Sequence, residues 1–207
     1  MIQRSPEWFA ARIGRVTASR VADIMRTTKS GPAASRKNYL AELVCERLTG
    51  NKAEGFESAA MAWGTECEPM ARAEYEVRNI VTVEEVGFCR HPTITMAGAS
   101  PDGLVGDDGL IEIKCPNTST HIETLMTGKI DPDYLVQMGW QMECTGATWC
   151  DFVSFDPRLP ADMQLWVKRV PRDNAMIAEI EGEVRKFLAE MAAKIAALES
   201  RYGSKAA

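Results

Sequence analysis

Apolar and polar residues alternate with different periods along the chain, and these periods predict where strands and helices lie. Residues 110–115, Leu-Ile-Glu-Ile-Lys-Cys, alternate with period two, which is typical of a strand. From Asp173 to Arg201, apolar residues recur every three or four positions and predict a long helix with one packing face. The order of all predicted elements indicates an α/β fold with a mixed central β-sheet flanked by helices.

The same patterns divide the rest of the chain. Helices are predicted at 6–13, 17–25, 36–48, 58–79, 118–127, 134–144 and 173–201, and strands at 81–90, 93–99, 110–115, 149–155 and 163–170. Pro69 lacks an N–H, so we expect it to kink or restart its helix. We expect one domain over 1–207, with a basic helical part (1–50), a sheet core carrying the candidate site (81–170) and a C-terminal packing helix (173–201).

A turn-rich segment comes before the alternating strand and predicts a hairpin. Residues 100–103 read Ser-Pro-Asp-Gly, and residues 106–109 read Gly-Asp-Asp-Gly. The turn can bring Asp102 beside Glu112, and period two places Glu112 and Lys114 on one face of the strand. Two carboxylates and one ammonium therefore share one side of the hairpin.

This trio suits metal-assisted hydrolysis of a phosphodiester. Two carboxylates can hold Mg²⁺ or Mn²⁺, and the ion acidifies a water and offsets phosphate charge. Lys114 can orient that water or stabilise the developing charge. The alternative is a solvated, charged face of an exposed hairpin. Pro101 and Gly103 constrain the backbone around Asp102. A solvated surface carboxylate does not require such a constraint, so these residues favour the metal site.

Composition narrows the class of protein. The chain has 207 residues, of which 45% are hydrophobic and 26% charged, as in ordinary globular domains. It contains no apolar run near the roughly 20 residues of a membrane span and no signal-peptide pattern, so we expect a cytoplasmic protein without membrane contact. Six cysteines form no C-x-x-C pair and are expected to be buried, reduced thiols.

Charge is distributed unevenly. Residues 1–40 carry eight Lys or Arg against two Asp or Glu, whereas the whole chain has a net charge of −5. A basic N-terminal segment on an otherwise acidic chain is what contact with phosphates requires. A basic segment without any binding partner would have the same charge distribution and is the alternative. Arg12 and Ser19 flank the break between the first two predicted helices, where a helix N-terminus, a hydroxyl and a guanidinium could bind an anion. Simple helix capping by Thr17 and Ser19 is the alternative.

Several blocks of the sequence, in order, resemble the phage lambda exonuclease family, also called YqaJ-type viral recombinases (alkaline exonucleases), within the PD-(D/E)XK nuclease superfamily. The match spans about residues 8–170. The blocks are W-F-A-A-R-I-G-R-V-T-A-S at 8–19, A-M-A-W-G-T-E-C-E at 60–68, S-P-D-G-L at 100–104, E-I-K-C-P at 112–116, the glutamine block at 134–137 and F-D-P-R at 155–158.

The resemblance implies a role for each matching residue. Asp102, Glu112 and the Ile113 main-chain carbonyl would bind the metal, Lys114 would position the attacking water, and Glu68 would lie near a second metal. Four residues would hold the terminal 5′-phosphate of DNA: Arg12, Ser19, Ser100 and Gln137.

The resemblance also implies an activity. The family digests one strand of linear double-stranded DNA from the 5′ end with Mg²⁺, for which Mn²⁺ would substitute. It leaves a 3′ single strand for recombination by a single-strand annealing protein, and it works as a ring-shaped homotrimer. A phage- or prophage-encoded protein in a bacterial host is expected. The alternatives are an endonuclease of the same superfamily, restriction or structure-selective, or a non-catalytic DNA-binding protein.

The sequence departs from the family at two places. Relatives often carry Q-x-Q after E-x-K, but here Gly139 occupies the second glutamine position; Gln141 lies on the same helix face as Gln137 and is a candidate replacement. Gln137 and Gln141 could equally belong to a solvated face. Pro92 stands where some relatives have an acidic residue.

Met61 is a candidate for the apolar wedge that splits the duplex end, with a core methionine as the alternative.

Overall fold

The structure is a computed structural model, and it describes residues 2–29, 31–53 and 58–203. The helices are α1 (Pro6–Arg12), α2 (Ala18–Met25), α3 (Ala34–Thr49), α4 (Ala59–Asn79), α5 (Thr118–Thr127), α6 (Pro132–Thr145), α7 (Ala161–Gln164) and α8 (Asn174–Tyr202). The strands are β1 (Val16–Thr17), β2 (Thr27–Thr28), β3 (Gly31–Pro32), β4 (Val83–Glu84), β5 (Cys89–Arg90), β6 (Ala97–Ala99), β7 (Gly103–Val105), β8 (Gly109–Lys114), β9 (Trp149–Phe155) and β10 (Leu165–Pro171).

The largest sheet has five strands in the order β10-β9-β8-β7-β4. Strands β8 and β9 are parallel, and every other neighbouring pair in this sheet is antiparallel. The prediction of a mixed α/β fold is therefore confirmed. A three-stranded sheet, β1-β6-β5, and a two-stranded one, β2-β3, complete the described strands.

The residues of β8 alternate between two apolar clusters, one on each face of the large sheet. Ile111 and Ile113 pack with Cys67 and Tyr75 of α4, whereas Leu110 packs with residues of α6. Period two therefore turns Glu112 and Lys114 toward α6 as well. A third cluster joins α2, α3, α6 and α8 and holds α6 from its other side.

Helix α4 is continuous from Ala59 to Asn79, so the prediction that it restarts at Pro69 is wrong. Cys67, Ala71 and Tyr75 bury one face of the helix against the sheet. This packing outweighs the hydrogen bond that Pro69 cannot donate.

Two predicted strand regions are shorter than their patterns suggested. Only short pieces of 81–99 pair as strands, and residues 161–164 form the one-turn helix α7 before β10 begins. Pairing of β10 with β9 starts at Leu165 opposite Phe155, so the ladder sets the strand boundary. All six cysteines are free, as predicted, but the prediction that all are buried is wrong: only Cys67 and Cys150 are buried, Cys45 is exposed and the other three are half-buried. Within the described residues, no helix has the length and apolar character needed to cross a bilayer.

Candidate functional site

The hairpin of β7 and β8 builds the centre of the site. Gly103 pairs with Ile111, and continuing this register places Asp102 opposite Glu112. Asp102 Oδ2 accepts a hydrogen bond of 2.6 Å from the Ile113 backbone N–H. Gly103 is required here because a Cβ atom would collide with the Val83 side chain of neighbouring β4.

Glu112 is almost completely enclosed, with 2% of its surface exposed. Its Oε1 accepts hydrogen bonds from Lys114 Nζ and, at 2.6 Å, from Gln137 Nε2. Its Oε2 accepts a bond of 2.6 Å from Gln141 Nε2. The carboxylate is therefore gripped by its own strand on one side and by two amides of α6 on the other.

Lys114 is the cation of the site. Its Nζ lies 3.3 Å from Gln137 Oε1 and 4.7 Å from the centroid of the Tyr134 ring. Burial alone would lower the pKa of Lys114, but the charges of Glu112 and Asp102 raise it above its usual value. The ammonium is thus held protonated, so it can donate hydrogen bonds to a water or a phosphate oxygen.

The surroundings of Asp102 disfavour the ionised form of its side chain. Burial raises its pKa well above the usual value, and the charges of Glu112 and Glu68 raise it further, against the opposing effects of Lys114 and the Ile113 N–H. Adjacent carboxylates in a poorly solvated site are stabilised by a cation. Asp102, Glu112 and the neighbouring Ile113 backbone offer only hard oxygen donors, which fit Mg²⁺ or Mn²⁺.

Glu68 reaches the same site from α4. Its Oε1 accepts a 2.8 Å bond from Arg72, and its Oε2 accepts a 3.1 Å bond from Arg4. Glu68 follows Cys67, which packs against Ile111 and Ile113 of β8, and the charge of Glu68 raises the pKa of Asp102. Glu66 is exposed, because the buried Cys67 fixes which side of α4 faces the sheet.

A second group of polar residues begins where the first ends. Ser100, two residues before Asp102, accepts hydrogen bonds of 3.1 Å from Arg12 Nη1 and 2.9 Å from Trp8 Nε1. The Arg12 guanidinium lies 4.1 Å above the Trp8 ring. Burial lowers the pKa of Arg12, though an arginine remains charged. Arg12 and Ser100 therefore form a pocket in which a fixed, partly desolvated cation lies beside a hydroxyl.

The remaining predicted anchors are placed differently. Ser19 is exposed at the second residue of α2, and within the described residues no hydrogen bond joins it to Arg12 or Ser100. Gln137 contacts Glu112 and Lys114 directly, which places it in the carboxylate group. Met61 is exposed on α4, so a buried core role for it is wrong.

Sequence reasoning missed two residues that reach the hairpin from the N-terminus. Gln3 Nε2 donates to the carbonyls of Pro101 at 2.8 Å and Val86 at 2.9 Å. Arg4, which contacts Glu68, has a left-handed backbone with φ of 65°. Neither belongs to a motif, and only the backbone strain at Arg4, visible in the structure, marks the segment.

One other group of described residues has the spacing of a metal site. One ligand atom from each of His91, Glu143 and Glu181 lies within 4.8 Å of the others. However, His91 Nδ1 accepts hydrogen bonds from the backbone N–H groups of Thr93 and Ile94. The neutral ring must then carry its proton on Nε2, facing Glu181, and has no lone pair there for a metal. This tautomer favours a His–Glu contact over a metal site.

Comparisons with known proteins place the chain in a family and find similar solved structures. The model of the YqaJ-like viral recombinase domain matches residues 7–148. The chain is similar to the alkaline exonuclease LHK-Exo from Laribacter hongkongensis, at 60% identity and a TM-score of 0.89 over 95% of this chain and 97% of that one. A structure of LHK-Exo in complex with dAMP matches at 61% identity and a TM-score of 0.89, with the same coverage.

A more distant structure supports the fold alone. A phage-related exonuclease from Haemophilus somnus 129PT matches at 17% identity and a TM-score of 0.66, over 87% of this chain and 96% of that one. No curated protein matches the chain significantly.

Proposed function

The chain belongs to the YqaJ-like viral recombinase family, and from this premise we propose that it is a Mg²⁺-dependent exonuclease that digests one strand of linear double-stranded DNA from its 5′ end. Its relatives at about 60% identity are alkaline exonucleases, so nuclease activity follows from the family. The observation that carries the finer proposal is the turn at 100–102. Ser100, bound to Arg12, and Asp102, opposite Glu112, lie two residues apart.

The proposed metal ligands are Asp102, Glu112 and the Ile113 main-chain carbonyl, with Glu68 beside a second ion. A bound divalent ion would acidify the attacking water and offset the charge of the scissile phosphate. Lys114, held protonated by its acidic neighbours, donates a hydrogen bond that orients the water. Gln137 holds both Lys114 and Glu112, so it keeps the two groups at a fixed separation.

The pocket of Arg12 and Ser100 supplies the direction of digestion. A guanidinium with a fixed hydroxyl binds a dianionic terminal phosphate more strongly than a bridging phosphate. A 5′-phosphate held there places the next phosphodiester bond beside Asp102. We include Ser19 and Gln137 in this anchor as proposed contacts that form with DNA. LHK-Exo was crystallised with dAMP, a mononucleotide of the kind this reaction would release.

We further propose that residues 1–207 act as one nuclease domain in a homotrimeric ring within the bacterial cytoplasm. The 3′ single strand would pass to a single-strand annealing protein. These statements rest on the family, and light scattering after size exclusion tests the trimer. A mass of one subunit would contradict the ring.

The activity is tested with a linear duplex in which just one of the two strands carries a 5′-phosphate. Each strand carries a different fluorophore at its 3′ end, and closed circular plasmid is incubated in parallel with Mg²⁺, with Mn²⁺ or with chelator. We expect the phosphorylated strand to shorten with either metal while its partner and the plasmid stay intact. Lys114→Met serves as the inactive control.

The same experiment separates the alternatives. Cutting of the closed plasmid would favour an endonuclease of this superfamily. Release of the 3′ fluorophores on single nucleotides, without shortened labelled strands, would reverse the proposed polarity. Equal shortening of both strands would contradict the preference for a 5′-phosphate. Absence of metal-dependent cleavage would leave a non-catalytic DNA-binding protein.

A further inference from the structure

Two glutamines of α6 hold opposite oxygens of the same carboxylate. Gln137 donates to Glu112 Oε1 and Gln141 donates to Oε2, each at 2.6 Å. Gln137 is partly exposed, as is Lys114, which also contacts Oε1, whereas Gln141 has no exposed surface. Oε1 therefore lies on the open side of the site and Oε2 on the side of the core.

The second amide carries a cost that packing does not explain. Gln141 Oε1 is buried without a hydrogen-bond partner in the described structure. An unpaired buried acceptor is destabilising, and an apolar side chain of the same size would avoid it. The neighbours of Gln141 along the helix, Met138 and Met142, are apolar and equally buried. The one feature that the amide adds is its donor to Glu112.

Helix α6 is fixed on the side away from Glu112. A Cβ atom on Gly139 would lie 2.7 Å from Met176 Cε of α8, so the two helices approach closely at this point. Trp140 Nε1 donates a 3.3 Å hydrogen bond to the carbonyl of Gly98, in β6 of the three-stranded sheet. Gln141 is thus presented by a helix that cannot shift or rotate easily, and its reach to Glu112 is preset.

We infer that Gln141 is a positioning residue for the catalytic metal: it holds Glu112 Oε2 on the side of the core and so keeps Oε1 on the open side of the site. The inference rests on the proposed function, which makes Glu112 a metal ligand. The chemistry of the amide fits this task. It is a donor without charge, so it orients the carboxylate without neutralising it, whereas an arginine would compete with the ion.

Direct metal titration tests this role without relying on turnover. Calorimetry with Mn²⁺ alone, in the absence of DNA, compares wild type with Gln141→Met, which keeps the volume and removes the donor. Loss of a hydrogen bond to a metal ligand typically weakens affinity by about 10- to 100-fold, and we expect at least about tenfold here. In DNA digestion by Gln141→Met, the Mg²⁺ concentration that gives half the maximal rate should rise by a similar factor. The rate at saturating Mg²⁺ should change less.

Two further variants keep the test decisive. Gln141→Asn retains a polar amide but shortens its reach by one methylene, and should weaken Mn²⁺ binding even if Gln141→Met does not fold. Met142→Leu perturbs the same buried turn of α6 without a contact to Glu112, and should bind Mn²⁺ like wild type. Thermal melting in chelator shows that each variant is folded before its Mn²⁺ affinity is compared with that of wild type.

The outcomes separate this inference from the proposed function. The metal site itself would be overturned if wild type did not bind Mn²⁺, or if Asp102→Asn bound Mn²⁺ as well as wild type does. Wild-type binding with unchanged affinity in both Gln141 variants would overturn only the role of Gln141. An equal loss in Met142→Leu would also overturn it, because general packing would then be responsible.

Discussion

Asp102 and Asp156 are both aspartates at strand ends of the large sheet, but their surroundings are opposite. Asp156 is fully buried and accepts hydrogen bonds from Arg158 Nε at 2.7 Å and Nη2 at 3.0 Å. Burial alone would raise its pKa, but hydrogen bonds from Arg158 and Thr118 lower it to about 2. Asp102 faces Glu112 instead, and its pKa is raised.

Asp151 follows the pattern of Asp156. It accepts bonds of 2.8 and 2.9 Å from Arg169 and another of 2.8 Å from Tyr75. These two structural carboxylates of the sheet each have an arginine, whereas in the described residues Asp102 has none. Glu112 is paired with Lys114, but this one ammonium serves two neighbouring carboxylates, so the difference favours a further cation from solution beside Asp102.

The largest effect should come from Asp102→Asn. Removal of one metal ligand should lower the rate of DNA digestion by at least about 10²-fold. Stability in chelator should be unchanged or higher, since asparagine can accept the Ile113 N–H bond without repelling Glu112. A nuclease assay and thermal melting check the two halves. A clear loss of stability would show that Asp102 is structural, like Asp156.

Arg12→Ala should have the next largest effect, on substrate choice. A lost charge-assisted hydrogen bond costs about 1.5–3 kcal/mol, so preference for a 5′-phosphate over a 5′-hydroxyl end should fall about 10- to 100-fold. Initial rates on the two duplexes measure this ratio. Arg12→Lys keeps the charge but not the planar donors and should recover only part of the preference. An unchanged ratio in Arg12→Ala would remove Arg12 from the anchor.

Asp156→Asn should act on stability and its pH dependence. The folded-state pKa of Asp156 is about 2 against a reference of 3.8. A lowered folded pKa stabilises the protein above the reference value, and this contribution is lost as the pH falls from about 4 to 2. Wild type should therefore exceed the variant by about 1–3 kcal/mol at pH 6, with the gap closing toward pH 2. Urea unfolding at several pH values measures it; a gap independent of pH would contradict the pairing.

Arg4→Ala should have the smallest effect. Its ion pair with Glu68 is half-exposed on the arginine side, and such pairs contribute about 0–1 kcal/mol. Because Arg4 occupies one oxygen of Glu68, its removal should tighten Mn²⁺ binding by no more than about fivefold. Calorimetry beside Lys186→Ala, which removes an exposed ion pair with Glu183 within α8, provides the comparison. Weaker binding would mean that Arg4 supports the site instead of competing with the ion.

The sequence by itself determined the hairpin and the chemistry on it. Asp102, Glu112 and Lys114 lie within thirteen positions of one another, and their meeting depends on turn residues and on period two, which are local properties. The family blocks added Glu68, Arg12 and Ser100; in the structure Arg12 contacts Ser100 beside the turn, and Glu68 follows Cys67, which packs against β8.

Only the tertiary structure decided which side chains complete that hairpin. Gln141 meets Glu112 across 29 positions, Arg4 meets Glu68 across 64, and Arg12 meets Ser100 across 88. Sequence placed Gln137 and Gln141 on one helix face but left open whether that face met solvent or the site. The answer depends on how α6 packs between the sheet and α8, and such packing is the sum of many distant contacts that no local pattern encodes.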